Sequence, residues 1–321
     1  MWLNLDHMMR LPGLHDKLVG SGKGMGETRR HLFGARRGVR KTQAATSLAD
    51  ARGRRESTGG MLMIDIHCHP LWGVDDGAKS YEISVEMCKM AAADGITHLV
   101  ATPHSNYEYQ YDVEVNRAKL AELQTAIGDV PQLLLGCDFH LSYENIQQAA
   151  ENRKQFTING TNYLLVEFGE QFIPEQMDRV FYEIQCADLL PILTHPERNP
   201  VIQHRSELLY HWVTRGCLVQ VTAKSYTGGF GRRAQHFAEK WLEQNLIHFF
   251  ASDAHDPKHR PPILSECYRK VTEMRGEKVA DLLLRENPRA VIEGRPLPPG
   301  LEPIDPRQLK RKRSWFSFLR G

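Results

Sequence analysis

His67 and His69 stand two residues apart at the close of the apolar run 61–66, and Asp253 and His255 repeat that spacing after the run 247–252. In an extended strand, side chains two apart share a face, so each pair can offer two donor atoms to one cation. A single H-x-H is weak evidence, but a second pair of the same spacing makes coincidence a poorer account. More groups of the same kind end the apolar runs between them. His104 follows His98-Leu-Val-Ala-Thr-Pro, Glu167 follows Tyr163-Leu-Leu-Val, and His195 follows Leu189-Leu-Pro-Ile-Leu-Thr. Imidazoles and carboxylates are donors that divalent metals accept. Clustered divalent cations lower the pKa of bound water towards about 7 and neutralise phosphoryl oxygens, so the chemistry indicated is metal-dependent hydrolysis.

Something must bring six chain positions to one place. From residue 61 the chain alternates strand and helix signals. Strands are predicted at 62–67, 97–102, 132–138, 163–168, 190–194, 217–222 and 247–252, and helices near 80–94, 112–127, 143–153, 175–187, 205–215, 232–244 and 263–285. The last strands are continuous apolar runs, as expected of parallel strands covered on both faces. Seven β/α units predict an α/β fold, a distorted seven-stranded relative of the TIM barrel, whose sites lie at the strand ends. A doubly wound open sheet is the structural alternative, but it gathers ligands at one switch point rather than from nearly every strand.

The formal net charge of +2 conceals a division. Residues 1–60 hold twelve Lys/Arg against five Asp/Glu, residues 307–321 hold six against none, and 61–306 holds 23 against 34. An acidic body argues against a nucleic-acid-binding barrel mouth. Residues 1–60 lack hydrophobic periodicity and are expected to be a disordered basic extension; a start of translation at Met61 or Met63 also fits. Domain bounds of 61–300 for the barrel and 301–321 for a tail follow. The tail carries Lys310-Arg-Lys-Arg beside Trp315, Phe316, Phe318 and Leu319, a pairing that suits an anionic lipid surface. No secretory signal or apolar span of membrane length is visible, and the six scattered cysteines fit reduced thiols in cytoplasm, with the tail at the inner membrane face. None of them is followed six residues on by an arginine, so a thiolate phosphatase loop is absent. Nothing specifies an oligomeric state.

Met63-Ile-Asp-Ile-His-Cys-His, Gly73-Val-Asp-Asp-Gly-Ala, Ala101-Thr-Pro-His, Leu193-Thr-His-Pro-Glu-Arg and Ala251-Ser-Asp-Ala-His resemble, in unbroken order over about 61–295, the PHP (polymerase and histidinol phosphatase) superfamily. Within it they are similar to the CpsB/CapC type of bacterial tyrosine-protein phosphatase. The resemblance implies a distorted (β/α)7 barrel with three metal ions, usually manganese; iron and zinc also suit the donors. It implies His67, His69 and Asp253 on one metal, Glu167 and His195 on a second, and Asp76, His104 and His255 on a third, with Asp75 the fallback for Asp76. The bridge between the first two is usually Glu, and the matching position here is Asp138, one methylene shorter, with His140 a substitute ligand on the same side. Arg198 and Arg260 match the family's phosphate-holding arginines, as suits a guanidinium fork.

What the resemblance implies is a protein-tyrosine phosphatase in which a metal-activated hydroxide displaces a phenolate. Its implied partner is a phosphotyrosine protein, a bacterial tyrosine kinase that governs capsule or exopolysaccharide export. A small-molecule phosphatase of the histidinol-phosphatase kind, a nuclease, and a catalytically impaired kinase-binding module are the alternatives. Tyr107, Tyr109 and Tyr111 are candidates for a substrate wall, the Ser225-Tyr-Thr-Gly-Gly-Phe-Gly-Arg-Arg loop for a phosphate cradle, and His98, His204, His211, His236 and His248 are read as structural. Deletion of 1–60 is expected to leave turnover of a small aryl phosphate unchanged. Deletion of 309–321 should also spare it but reduce co-sedimentation with anionic vesicles, by on the order of 1 kcal/mol per basic residue lost. Equal sedimentation of tailed and tailless protein at low salt would show an ordinary solvated terminus.

Overall fold

Strand β1 (Met63–Cys68) is buried at every position, the pattern of a parallel strand covered on both faces. The computed structural model of the chain describes residues 62–141, 145, 152–169 and 173–308. The basic extension 1–60, the tail signal at 309–321 and most of the helix expected at 143–153 lie outside these. Eight further strands follow: β2 (Ile96–Ala101), β3 (His104–Ser105), β4 (Gln132–Leu135), β5 (Asp138–His140), β6 (Tyr163–Glu167), β7 (Leu190–Thr194), β8 (Leu218–Thr222) and β9 (Phe249–Ala251). All pairings are parallel, in the orders β1-β2-β4 and β3-β5-β6-β7-β8-β9.

The strand predicted at 132–138 is broken in two, and the one predicted at 97–102 is followed, just past its expected end, by a further short strand. Pro103 has no N–H to give a ladder, and it separates β2 from β3. Gly136 separates β4 from β5, where a Cβ would stand 3.1 Å from Val100 Cγ1. Hydrogen bonding nevertheless crosses both breaks, from Gly136 N to Ala101 O at 2.8 Å and from Asp138 N to Pro103 O at 3.2 Å. Among the described residues, eight of the nine strands fall in the seven predicted places, and β3 lies just beyond the strand predicted at 97–102. The first and last meet in a parallel bridge between Cys68 and Ala254, with His69 N–H donating to Ala254 O and Asp253 N–H to His67 O, both at 2.8 Å.

Successive strand residues serve opposite faces. Leu99, Leu164, Val166, Leu193, Val219 and Phe250 join the larger apolar cluster with helix residues such as Met87, Leu123 and Trp241. Val100, Leu165, Ile192 and Phe249 join a second with Ile64, Ile66, Val291 and Ile292. Helices α1 (Tyr81–Ala93) and α2 (Val113–Ile127) start at capping side chains, Ser80 and Asp112, whose oxygens accept first-turn N–H groups. Helix α3 (Met177–Cys186) precedes β7, α4 (Pro200–His204) and α5 (Glu207–Val213) precede β8, and α6 (Ala223–Tyr226) and α7 (Gly231–Glu243) precede β9. The helix expected at 263–285 is α8 (Ser265–Arg275), α9 (Glu277–Asp281) and a π turn over Leu282–Glu286, followed by α10 (Asn287–Ile292). Gly276, in the positive-φ region at φ 88°, divides α8 from α9.

Asp65 ties the two ends of this arrangement together. Its fully buried carboxylate Oδ1 accepts from Ser252 N at 3.0 Å and from His67 N at 3.3 Å. Burial pushes its pKa up to about 6 against those hydrogen bonds. Asp65→Ala is expected to cost about 1–3 kcal/mol by leaving buried donors unanswered, whereas Asp65→Asn keeps the accepting oxygen and costs less. Urea unfolding of the three proteins would separate these outcomes, and equal midpoints for Ala and Asn would remove Asp65 from this role.

Candidate metal centre

The strand ends and the loops that follow them bring the nine nominated metal ligands into one cluster. His67 and His69, on and just beyond β1, point their Nε2 atoms at each other across 3.2 Å. Asp253 Oδ1, after β9, lies 3.5 Å from His67 Nε2 and 3.6 Å from His69 Nε2. Asp76 Oδ1 sits 3.3 Å from His104 Nε2 and 3.4 Å from His255 Nε2. Glu167 Oε1 is 3.6 Å from His195 Nε2. Asp138 Oδ2 stands among these groups, 3.5 Å from His67 Nε2, 3.3 Å from His104 Nδ1 and 3.8 Å from His195 Nε2. The shorter carboxylate thus reaches three imidazoles without the extra methylene of Glu. His140, the substitute, has its Nδ1 3.7 Å from Glu167 Oε2, the oxygen that His104 Nδ1 also approaches to 3.7 Å.

Local backbone geometry aims several of these groups. Gly77 lets the loop after β1 press back on the strand end, since a Cβ there would lie 2.2 Å from His69 O. His195 (φ 32°) and Asp253 (φ 50°) both adopt the left-handed region, which costs a non-glycine residue of order 1–3 kcal/mol. Strain of this kind persists only where surrounding contacts enforce it. At Asp253 those contacts include two arginines: Arg198 Nη2 at 2.5 Å and Arg260 Nη2 at 2.7 Å both donate to Oδ2.

The doublet Asp75-Asp76 divides its work. Asp75 Oδ2 accepts from His69 Nδ1 at 2.8 Å and from the His104 backbone N–H at 3.2 Å, so it orients the His69 ring and pins the chain at His104, while Asp76 joins the cluster itself. His67 Nδ1 has a matching partner in Gln220 Oε1 of β8 at 3.0 Å. With Nδ1–H groups held outward, both histidines turn Nε2 inward, the tautomer that a cation takes. The roles of Gln220 and Asp65 were missed in the sequence, although each is a polar residue flanked by apolar ones within a buried strand. Phe230 went unnamed within its loop, and its ring lies against both arginines.

Opposing charges shape the titrations. Burial works against charge on His67, but the Asp138 and Asp253 carboxylates outweigh it and lift the pKa to about 9. His104 rises to about 11 against the same burial through Asp138 and Asp76. Burial and the neighbouring His255 push His69 down to about 3 despite Asp75. Burial alone would raise Asp253, yet Arg198 and Arg260 hold its carboxyl well below the usual range. The donors fit divalent cations: Asp138 Oδ2 and His104 Nδ1 are buried without a hydrogen-bond partner, and buried polar atoms are otherwise nearly always paired. Groups of three or four donors fall within 4.8 Å of one another at His69/Asp76/His104/His255, His67/His69/Asp138 and His104/Asp138/Glu167. Exposure runs from 0% at His67 and Asp138 to 44% at Asp76, which marks the open side.

Other nominated residues fall away from the cluster. Tyr111 is in the core with its hydroxyl donating to Gly136 O at 3.0 Å, and Tyr107 is 93% exposed, so neither forms a wall. Only Tyr109 borders the site, its ring stacked on His104 at 6.1 Å. His248 accepts from Val219 N and His211 bonds Asp178, as structural histidines do.

Residues 63–293 match the family described as "Capsular polysaccharide synthesis, CpsB/CapC", and the chain belongs to it. It is 38% identical over 202 residues to the tyrosine-protein phosphatase YwqE of Bacillus subtilis, a match covering 62% of this chain and 79% of that one. It is 37% identical over 212 residues to the putative tyrosine-protein phosphatase CapC of Staphylococcus aureus, covering 64% and 82%. A solved structure from work on YwqE of Bacillus subtilis and CpsB of Streptococcus pneumoniae, described as unique metal-dependent tyrosine phosphatases, superposes with a TM-score of 0.70. It is 33% identical, and the match spans 76% of this chain and 100% of that one.

Asp138→Ala is expected to abolish turnover and lower bound metal. Asp138→Glu should bind metal but gain no activity, because Asp138 is fully buried and overpacking by a further methylene costs about 1–3 kcal/mol. Metal analysis beside initial rates would check both, and wild-type metal content with wild-type rate in the Ala variant would displace Asp138 from the centre.

Proposed function

We propose that this chain is a metal-dependent protein-tyrosine phosphatase. The observation that carries this reading is the convergence of nine metal-ligating side chains from the ends of the strands, with two arginines beside them. His67, His69 and Asp253 would hold one cation, Glu167 and His195 a second, and Asp76, His104 and His255 a third, with Asp138 between the first two. Manganese is the proposed metal, in keeping with a site rich in both imidazole and carboxylate, with iron and zinc the competitors. When bound, such cations activate water and neutralise phosphoryl charge.

The protein's own groups do the rest. Arg198 and Arg260 each spend one terminal nitrogen on Asp253, and their Nε donors are buried without partners. Those donors suit phosphoryl oxygens, which accept paired charged hydrogen bonds. Asp75 and Gln220 keep His69 and His67 in one tautomer. Tyr109 lies at the open side beside His104, where a substrate's phenol ring would approach. A phenolate leaves more readily than an alkoxide, which lessens the demand for a general acid, and no residue is assigned that role.

The substrate proposed is phosphotyrosine on a tyrosine kinase of capsule or exopolysaccharide synthesis, in keeping with the names of the relatives. The proposed location is the cytoplasm, with the 309–321 tail touching the inner membrane face. Among the described residues no helix is long and apolar enough to cross a membrane. Residues 61–300 would be the catalytic unit.

Chelation should abolish hydrolysis of a phosphotyrosine peptide and Mn2+ should restore it. Thiol alkylation should leave it intact, because all cysteines but Cys186 are buried and burial pushes the Cys68 and Cys137 thiols upward. Full rate in excess chelator, or stoichiometric loss on alkylating one cysteine, would sink the reading. A strong preference for small alkyl phosphates over the peptide would favour the small-molecule alternative.

A further inference from the structure

Arg198 and Arg260 share one oxygen of Asp253, and two guanidinium cations so close repel each other. A single carboxylate oxygen does not fix the planes of two forks. The Phe230 ring supplies the missing support: Arg198 Cζ lies 4.8 Å and Arg260 Cζ 5.6 Å from its centroid. Both are within the roughly 6 Å over which a cation is held by the face of an aromatic ring. Lys224 Nζ is at 6.0 Å from the centroid and donates to His259 O, so it competes little for the ring.

The loop that presents Phe230 is held from both sides. Gly228 N donates to Ser225 O at 3.1 Å, Gly229 N to Lys224 O at 2.8 Å, and Gly231 N to Gly228 O at 3.0 Å. Gly228 (φ 100°) and Gly231 (φ 85°) take backbone conformations that side chains resist, so the ring is fixed between two glycine turns. With the ring on one side and Asp253 on another, the buried Nε donors of both arginines are left for a third party.

We propose that Phe230 is a positioning residue, whose ring face holds the Arg198 and Arg260 guanidinia together as one phosphate-binding fork. The proposal rests on the phosphatase reading, since it presumes that phosphate is what the fork receives. It separates a ring that acts through the arginines from a ring that packs against the substrate's own phenyl group. Inorganic phosphate, which has no ring, tells the two apart.

The experiment compares wild type, Phe230→Leu, Phe230→Met and Phe230→Tyr, each as the metal-loaded full chain with its metal content measured. The inhibition constant of inorganic phosphate is read against hydrolysis of 4-nitrophenyl phosphate. The Leu and Met variants should bind phosphate roughly 5- to 30-fold more weakly, the span of a desolvated cation–π contact, with unchanged metal content. Tyr, which keeps the ring face, should restore binding to within about 2-fold of wild type. In an Arg198→Ala/Arg260→Ala background, Phe230→Leu should have no further effect on phosphate. Wild-type phosphate binding in the Leu variant, loss confined to the aryl substrate, or an undiminished Leu effect without the arginines would each overturn the proposal. A wild-type protein that neither binds phosphate nor hydrolyses the ester would instead fail the phosphatase reading, and the proposal with it.

Discussion

His67, Asp138 and Asp253 are at most 1% exposed, and ions taken that far out of water cost several kcal/mol each unless other charges answer them. Here each is answered by another strand end. Asp253 faces imidazoles with Oδ1 and guanidinia with Oδ2, so one carboxylate joins the histidine cluster to the arginine pair. The strained turns at His195 and Asp253 become intelligible in this light. The mutual attraction of the cluster offsets the cost of holding both residues in a conformation that glycine would adopt freely.

The same constraint explains why polar residues occur in otherwise apolar strands. Asp65 and Gln220 lie behind the histidines, each tied to His67, one at its backbone and one at its ring. They leave little rotational freedom to an imidazole whose outward nitrogen must carry the proton. Asp75 does the same for His69. Precision at the centre is therefore set one layer behind it, by groups that never meet a substrate.

The strand-end residues were legible in the chain because parallel folds concentrate chemistry at the ends of apolar runs, and the order of motifs carried the family. What period and composition cannot report is depth. Tyr107, Tyr109 and Tyr111 look alike in sequence, yet one is in solvent, one lines the site and one is core, a sorting made by the path of the loop. The kinks at Pro103 and Gly136, within ladders that continue past them, were likewise not signalled. Phe230 was hidden because its partners lie 32 and 30 residues away along the chain, beyond any local pattern.

The bridge between Cys68 and Ala254 has a consequence for how the molecule comes into being. The contact spans 186 residues, and a loop of that length must close before either end gains anything from the other. His67 and His69 leave the ribosome early, whereas Asp253, His255 and Arg260 come after nearly all the other strands. An unfinished chain thus carries His67 and His69 without the Asp253 carboxylate and the Arg260 guanidinium that complete the site. Competence arrives in a single late event, when the final strand docks beside the first, and not by degrees as the polypeptide lengthens.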